Sequence, residues 1–221
     1  MKKVMKKITC LVLALTLLAG LSGCGMVFTS ASANNSGGSG GGSSSGTYTP
    51  AALDESLTYF ADIEIADYGM ITIQLDQTAA PVTCANFVEL AESGFYDGLT
   101  FHRIIAGFMM QGGDPKGNGT GGSENKIVGE FKSNGIENPL SHTRGVVSMA
   151  RSKAKDSASS QFFICHEDAP HLDGGYAAFG TVTEGMDVVD AVCAAAQPTD
   201  SNGSIARDAQ PVMTSVTIRT E

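Results

Sequence analysis

Apolar and polar residues alternate over Asp62-Ile63-Glu64-Ile65 and again over Ile71-Thr72-Ile73-Gln74-Leu75. A period of two puts every second side chain on one face of a strand. Asp67-Tyr68-Gly69 separates the two runs with turn-forming residues, so this stretch predicts a β-hairpin. The period then lengthens. Val82, Ala85, Val88, Leu90 and Ala91 recur at helical spacing. Pro81 suits the first helical turn and Gly94 the end, which predicts a helix. Alternation returns over residues 99–105 and 161–166. Met186 to Ala195 reads as a second short helix, and Val212, Thr214, Val216 and Ile218 as one face of a closing strand. Many short strands with only two helices predict a mainly β domain, a closed barrel with helices over its ends.

The first 56 residues do not follow this pattern. Lys2, Lys3, Lys6 and Lys7 precede an apolar run over residues 8–21, which has the length of a signal peptide and is short for a membrane span. Leu21-Ser22-Gly23-Cys24 resembles the lipobox of bacterial lipoproteins, which implies cleavage after residue 23 and acylation of Cys24. Two acyl chains there would anchor the protein stably. Residues 34–46 (NNSGGSGGGSSSG) are almost all Gly, Ser and Asn and bury no core. The expected organisation is therefore a signal peptide over 1–23, a lipidated cysteine and flexible linker over 24–56, and a folded domain over 57–221. About 30 residues of such a linker reach roughly 30 Å, so the domain is tethered outside the cytoplasmic membrane.

Charge sharpens this picture. Without the four N-terminal lysines, ten basic residues face twenty-three acidic ones, a formal charge of −13. Such a surface repels nucleic acid, and no basic, aromatic-studded stripe argues otherwise. With Cys10 in the signal and Cys24 acylated, Cys84, Cys165 and Cys193 remain, too few for a disulfide framework and with no zinc spacing. They read as small core residues.

Strand parity supplies candidate chemistry. It groups Phe101, Arg103 and Ile105 on one face, with His102 and Ile104 on the other. It likewise groups Gln161, Phe163 and Cys165 opposite Phe162 and Ile164. An arginine, an amide and an aromatic ring could thus line one surface groove while their neighbours fill the interior. Phe108 and Met109 follow Gly107 outside the predicted strand, where apolar side chains need a reason to be present.

Four motifs give that groove a family. They are FHRIIAGFMMQGGD over Phe101–Asp114, Ser148-Met149-Ala150-Arg151, SQFFIC over Ser160–Cys165, and LDGGYAAFG over Leu172–Gly180. In this order and spacing they resemble the cyclophilins, over about residues 60–220. The resemblance implies an eight-stranded antiparallel barrel capped by two α-helices, and peptidyl-prolyl cis-trans isomerase activity on proline-containing polypeptides. It implies no cofactor and no metal, and a monomer is expected. It assigns Arg103 as the catalytic donor, with Phe108 and Gln111 beside it. Met109, Phe163 and Leu172 would complete a proline pocket, and the backbone around Ala150 and Arg151 would pair with substrate. Gln161, His171 and Tyr176 would border the site. His171 stands where eukaryotic members carry tryptophan, and Tyr176 where they carry histidine, which bears on substrate preference and drug binding.

Other patterns carry less. Gly117 to Gly122 matches GxGxxG by letter, but it follows GGDP instead of a strand and opens no apolar helix. His102, His142, His166 and His171 share no ligand spacing. The alternative to an enzyme is a tethered binding module that uses the same groove without turnover; an intact Arg103 favours the enzyme.

Overall fold

The computed structural model describes residues 46–221; the signal peptide, Cys24 and the Gly/Ser run up to residue 45 lie outside the described residues. Strands β1 (Tyr59–Ile65) and β2 (Gly69–Leu75) form the expected hairpin, with Asp67 and Gly69 at positive φ in its turn. Strands β3 (Phe101–Ile105) and β4 (Met109–Gly112) form a second hairpin. Strands β5 (Val146–Met149), β6 (Phe162–Cys165), β7 (Ala178–Glu184) and β8 (Met213–Thr220) complete one antiparallel sheet, ordered β3-β4-β6-β5-β7-β2-β1-β8.

The sheet curls without closing. The expected closed barrel is corrected to an open half-barrel. Among the described residues the two edges meet only at the start of β3 and β8, through the bridge of Thr100 with Val212 and backbone hydrogen bonds from Phe101 N–H to Pro211 C=O and from Met213 N–H to Leu99 C=O. The cause lies in the chain before β8. Ile104 N–H donates to Gly203 C=O at 2.8 Å and Ile205 N–H to His102 C=O at 2.9 Å. The outer edge of β3 is thereby satisfied by a loop, which leaves no row of free donors for β8 to complete.

Two helices cover the interior. Helix α1 (Pro81–Glu92) begins with its proline, whose missing N–H is no loss in the first turn. The next amides, Val82 and Thr83, donate to the buried carboxylate of Glu130 at 3.0 and 2.7 Å, a negative charge at the positive end of the helix. Cys84, Phe87, Val88 and Ala91 face the core. Helix α2 (Met186–Ala195) buries Val188, Val189, Val192 and Cys193. Phe87 anchors the interior, with ring centroids of Tyr96, Phe179 and Phe162 at 5.0, 5.3 and 5.4 Å. Aromatic pairs at such spacings add about 0.5–1.5 kcal/mol each beyond their buried area.

Two bulges override strand parity. Register shifts between Phe101 and Arg103, so Phe101 enters the core with Ile104 instead of sharing a face with Arg103 and Ile105. Gly112 permits this, since a Cβ there would lie 2.9 Å from the Phe101 ring. A second shift opposite Glu64 and Ile65 places Met213 and Val216 in the core and leaves Thr214 exposed. Of the face predicted for the closing strand, Val212, Thr214, Val216 and Ile218, the last two pack on the core and Thr214 does not.

The folded unit also starts earlier than residue 57. Tyr48 bridges to Ile127 and donates its hydroxyl to Glu89 at 2.8–2.9 Å, and Pro50 is buried. Residues 47–56 therefore lie on the domain as a strap.

Candidate active site

A second apolar cluster occupies the opposite face of β3, β4 and β6 from the core. Met109, Phe163, Cys165, Ala169 and Leu172 are buried there, with Ile105, Phe108, Ala150 and Tyr176 partly buried against them. It exists because alternate residues must point away from the interior. Cross-strand pairing sets it in rows. Arg103 pairs with Gln111, Gln111 with Phe163, and Phe163 with Ser148; one step along, Ile105 pairs with Met109 and Met109 with Cys165. The parity reading of β6 holds: Phe163 and Cys165 face this cluster, Phe162 and Ile164 the core.

A cavity of about 180 Å³ opens in the cluster, lined by Arg103, Phe108, Met109, Gln111, Ala150, Arg151, Phe163, Leu172 and Tyr176. These residues are all ones the sequence singled out. Gln161 and His171 lie beside it. Gln161 accepts from Gln111 Nε2 at 2.8 Å and donates to Gly121 C=O at 2.7 Å, so it holds Gln111 and lines a neighbouring hollow of about 380 Å³ that shares Gln111, Ala150 and Arg151. His171 is exposed, its ring 5.4 Å from that of Phe108.

Two guanidinium groups line the cavity, Arg103 and Arg151, and Arg103 is the one carried by the strand row. Its Nε donates to Asn202 C=O at 2.7 Å and its Nη1 to Gln111 Oε1 at 3.3 Å. Burial pulls its pKa below the usual arginine value, opposed by Tyr176 and Asp200. Such a group stays cationic at any physiological pH. Burial also pushes the Cys165 thiol up to about 12, so the floor of the cluster is neutral.

Polar residues that the sequence reading left without roles hold the walls. His142 is buried; its Nδ1 lies 2.8 Å from Asp173 Oδ1 and its Nε2 3.0 Å from Ser148 Oγ. Its backbone N–H donates to the same Asp173 oxygen at 2.7 Å. The imidazole stacks under Phe163 at 6.0 Å, and Tyr176 meets Phe163 edge-on at 5.9 Å. The Arg151 guanidinium sits between Phe131 and Tyr176, 5.0 and 4.7 Å from their centroids. Asn202 had no signal in sequence, since it reaches Arg103 through its backbone carbonyl from 99 residues away. His142 and Asp173 stood near or within the quoted motifs, and only their pairing in space gives them work.

Residues 60–220 match the model of the family described as cyclophilin type peptidyl-prolyl cis-trans isomerase. The chain belongs to this family. Among curated proteins, this cyclophilin is similar to a Helicobacter pylori peptidyl-prolyl cis-trans isomerase, 45% identical over 148 residues, covering 66% of this chain and 88% of the relative. It is also similar to the Bacillus subtilis peptidyl-prolyl cis-trans isomerase B, 50% identical over 123 residues, covering 56% and 82% respectively. Among solved structures it is similar to a Cryptosporidium parvum cyclophilin-type isomerase crystallised in the presence of the dipeptide Ala-Pro. There the TM-score is 0.64 and the identity 30%, over 73% of this chain and 99% of that one. The cyclophilin domain is accordingly a peptidyl-prolyl cis-trans isomerase acting on proline-containing polypeptides.

Proposed function

We propose that Arg103 is the catalytic group of this isomerase, and that the enzyme acts on unfolded or flexible polypeptides outside the cytoplasmic membrane, tethered by a lipid on Cys24. The observation that carries the catalytic part is the row Arg103–Gln111–Phe163, which sets an anchored cation beside Phe108, Met109 and Leu172 in one cavity of about 180 Å³.

The reaction asks for little more. Rotation about an X–Pro bond crosses a barrier of about 18–20 kcal/mol because amide resonance must be broken. As it breaks, the prolyl nitrogen regains a lone pair. A cation aimed at that nitrogen stabilises the twisted state more than either planar isomer, which is the condition for catalysis. Phe108, Met109, Phe163 and Leu172 grip the ring, and Gln111 and the backbone at Ala150 and Arg151 hold the flanking peptide. A relative crystallised with Ala-Pro supports this substrate class. Tyr176 borders the ring pocket, while His171 and Gln161 meet the substrate only beyond it.

The cellular setting rests on residues 1–46 of the sequence. No helix among the described residues is long and apolar enough to cross a membrane, and the reading assigns membrane attachment to the acylated cysteine, with the domain acting as a monomer. The test joins activity to place. The full chain should accelerate isomerisation of a proline-containing peptide in a protease-coupled assay and partition with membranes, while Cys24→Ala should keep the activity and leave the membrane fraction or remain unprocessed. Unchanged acyl labelling and membrane retention in Cys24→Ala would overturn the anchoring.

A further inference from the structure

Phe108 is the one ring of the proposed proline pocket carried by a turn between strands, the three-residue connection Ala106–Phe108 from β3 to β4. A turn needs an anchor if its side chain is to grip a substrate, because its backbone has few ladder bonds. Three hydrogen bonds supply one, two with His166, the residue after β6, and one with Glu167 beside it. Gly107, at φ +80°, donates its N–H to His166 Nδ1 at 2.8 Å. Phe108 C=O accepts from the backbone N–H of His166 at 2.9 Å and of Glu167 at 3.4 Å. His166 thus holds the turn at two points, the Gly107 N–H before Phe108 and the Phe108 C=O after it, while the Phe108 N–H donates to Ile105 C=O at 3.0 Å.

The far side of the imidazole is held too. His166 Nε2 lies 3.2 Å from Asp190 Oδ1 on α2. Asp190 receives both contacts of an Arg144 Nη2 fork, at 2.7 and 2.8 Å, and Arg144 Nη1 returns to His166 C=O at 2.6 Å. Glu167 lies 3.9 Å from the same guanidinium. Because Gly107 can only donate, Nδ1 must accept, so the ring proton resides on Nε2 and is donated to Asp190. One tautomer satisfies every partner.

We infer that His166 is a positioning residue of this isomerase: as the Nε2–H tautomer, fixed by Asp190 and Arg144, it holds the Gly107–Phe108 turn and so sets where the Phe108 ring closes the proline pocket. This rests on the pocket role proposed for Phe108. A ring that grips proline equally in the planar and twisted states affects KM more than kcat. A loosened turn therefore weakens binding and leaves turnover nearly intact.

The experiment compares His166→Ala, His166→Gln and His166→Asn in the full chain. An asparagine carbonyl oxygen can take the place of Nδ1 as acceptor for Gly107, whereas a glutamine amide mimics Nε2 and leaves Gly107 without a partner. Ala and Gln should raise KM for an X–Pro peptide about three- to tenfold with kcat within twofold, and Asn should return KM to within twofold of wild type. The Gly107 amide resonance in a ¹H–¹⁵N spectrum should move and exchange faster in Ala and Gln and stay near its wild-type place in Asn. Asp190→Ala, at a half-exposed helix position, should shift the same resonance and raise KM by about two- to threefold even if a His166 variant fails to fold. Phe108→Ala serves as the reference. If it raises KM while Ala, Gln and Asn all behave alike, the positioning role is wrong. If Phe108→Ala itself is silent, the pocket role falls, and the inference with it.

Discussion

Arg103→Ala removes a side chain that is already ordered before substrate arrives. Nε is committed to Asn202 C=O at 2.7 Å and Nη1 to Gln111 Oε1 at 3.3 Å. Nη2 has no hydrogen-bond partner among the described residues, and on the proposed role it is the nitrogen left for the reacting peptide. The donor thus requires little reorganisation when the prolyl nitrogen pyramidalises. Removing one such preorganised donor costs about 10²–10³ in rate, or roughly 3–4 kcal/mol. A charge-assisted hydrogen bond of about 1.5–3 kcal/mol accounts for most of it. The expected result is therefore a fall in kcat/KM of about 100- to 1,000-fold, carried mainly by kcat. Thermal stability should change little, because the side chain lies outside the main core and leaves only the Asn202 carbonyl and the Gln111 amide to solvent. Arg103→Lys separates charge from shape. An ammonium cannot serve Asn202, Gln111 and the substrate from one fork, so lysine should lose at least about tenfold. The measurement is protease-coupled isomerisation of a short X–Pro peptide, with a melting curve for each variant. A folded Arg103→Ala within a few-fold of wild type would refute the assigned role, and a fully active lysine variant would show that charge alone suffices.

Three further outcomes follow from the same residues. Deleting residues 34–46 should leave activity in solution unchanged, since the strap that contacts the domain includes Tyr48 and Pro50 and lies beyond the deletion; a marked fall in turnover would show that the Gly/Ser run packs on the domain. Cyclosporin should bind one to two decades more weakly than to tryptophan-bearing cyclophilins, because an exposed imidazole at His171 offers some tens of Å² less apolar area, about 1–2 kcal/mol, and a displaced donor, about 1 kcal/mol; His171→Trp should tighten the inhibition constant, and no tightening would sink the account. Stability should fall with acid: burial holds the His142 pKa below the usual histidine value against the pull of Asp173, and the His142 amide and ring hold the Asp173 carboxyl below its own. The unfolded chain then binds more protons at both sites, so this stability is present above pH about 6.5 and is lost as pH falls through the histidine range and then the carboxylate range; a urea midpoint that is flat from pH 7 to 4 would contradict it.

Period and punctuation carried most of the fold. The first hairpin, both helices and the faces of β6 follow from alternation, from Pro81 and from turn residues, because each is local. The bulges at His102 and opposite Glu64–Ile65 are not local. They are set by which residue of a distant strand stands opposite, and a one-residue shift moves side chains to the other face. That is why Phe101 and Thr214 were misplaced. Closure was misjudged for a similar reason, since Gly203 and Ile205 reach the edge of β3 from a hundred residues away. At the site, strand side chains were legible because their motifs are contiguous. His142, Asp173, His166 and Asn202 gain their meaning only from partners brought together by folding.

That division has a physical basis in how the site is built. Neighbours in sequence serve opposite faces: Ile104 and Ile105, Met109 and Met110, Phe162 and Phe163 each put one side chain in the core and one in the groove. The backbone that packs the core is the backbone that spaces Arg103, Gln111 and Phe163, so the row needs no supports of its own. Leu172, Tyr176 and Phe108 have no such backing, because they lie outside the strands, Leu172 at the end of a 3-10 turn over Pro170–Leu172. Each is tied instead by a polar contact: Asp173 to His142 beside Leu172, Arg151 against Tyr176, and His166 to Gly107 beside Phe108. Breaking amide resonance by about 20 kcal/mol rewards a pocket that holds still while one bond turns. A strand row backed by the core, with the flanking side chains tied by polar contacts, fits that requirement.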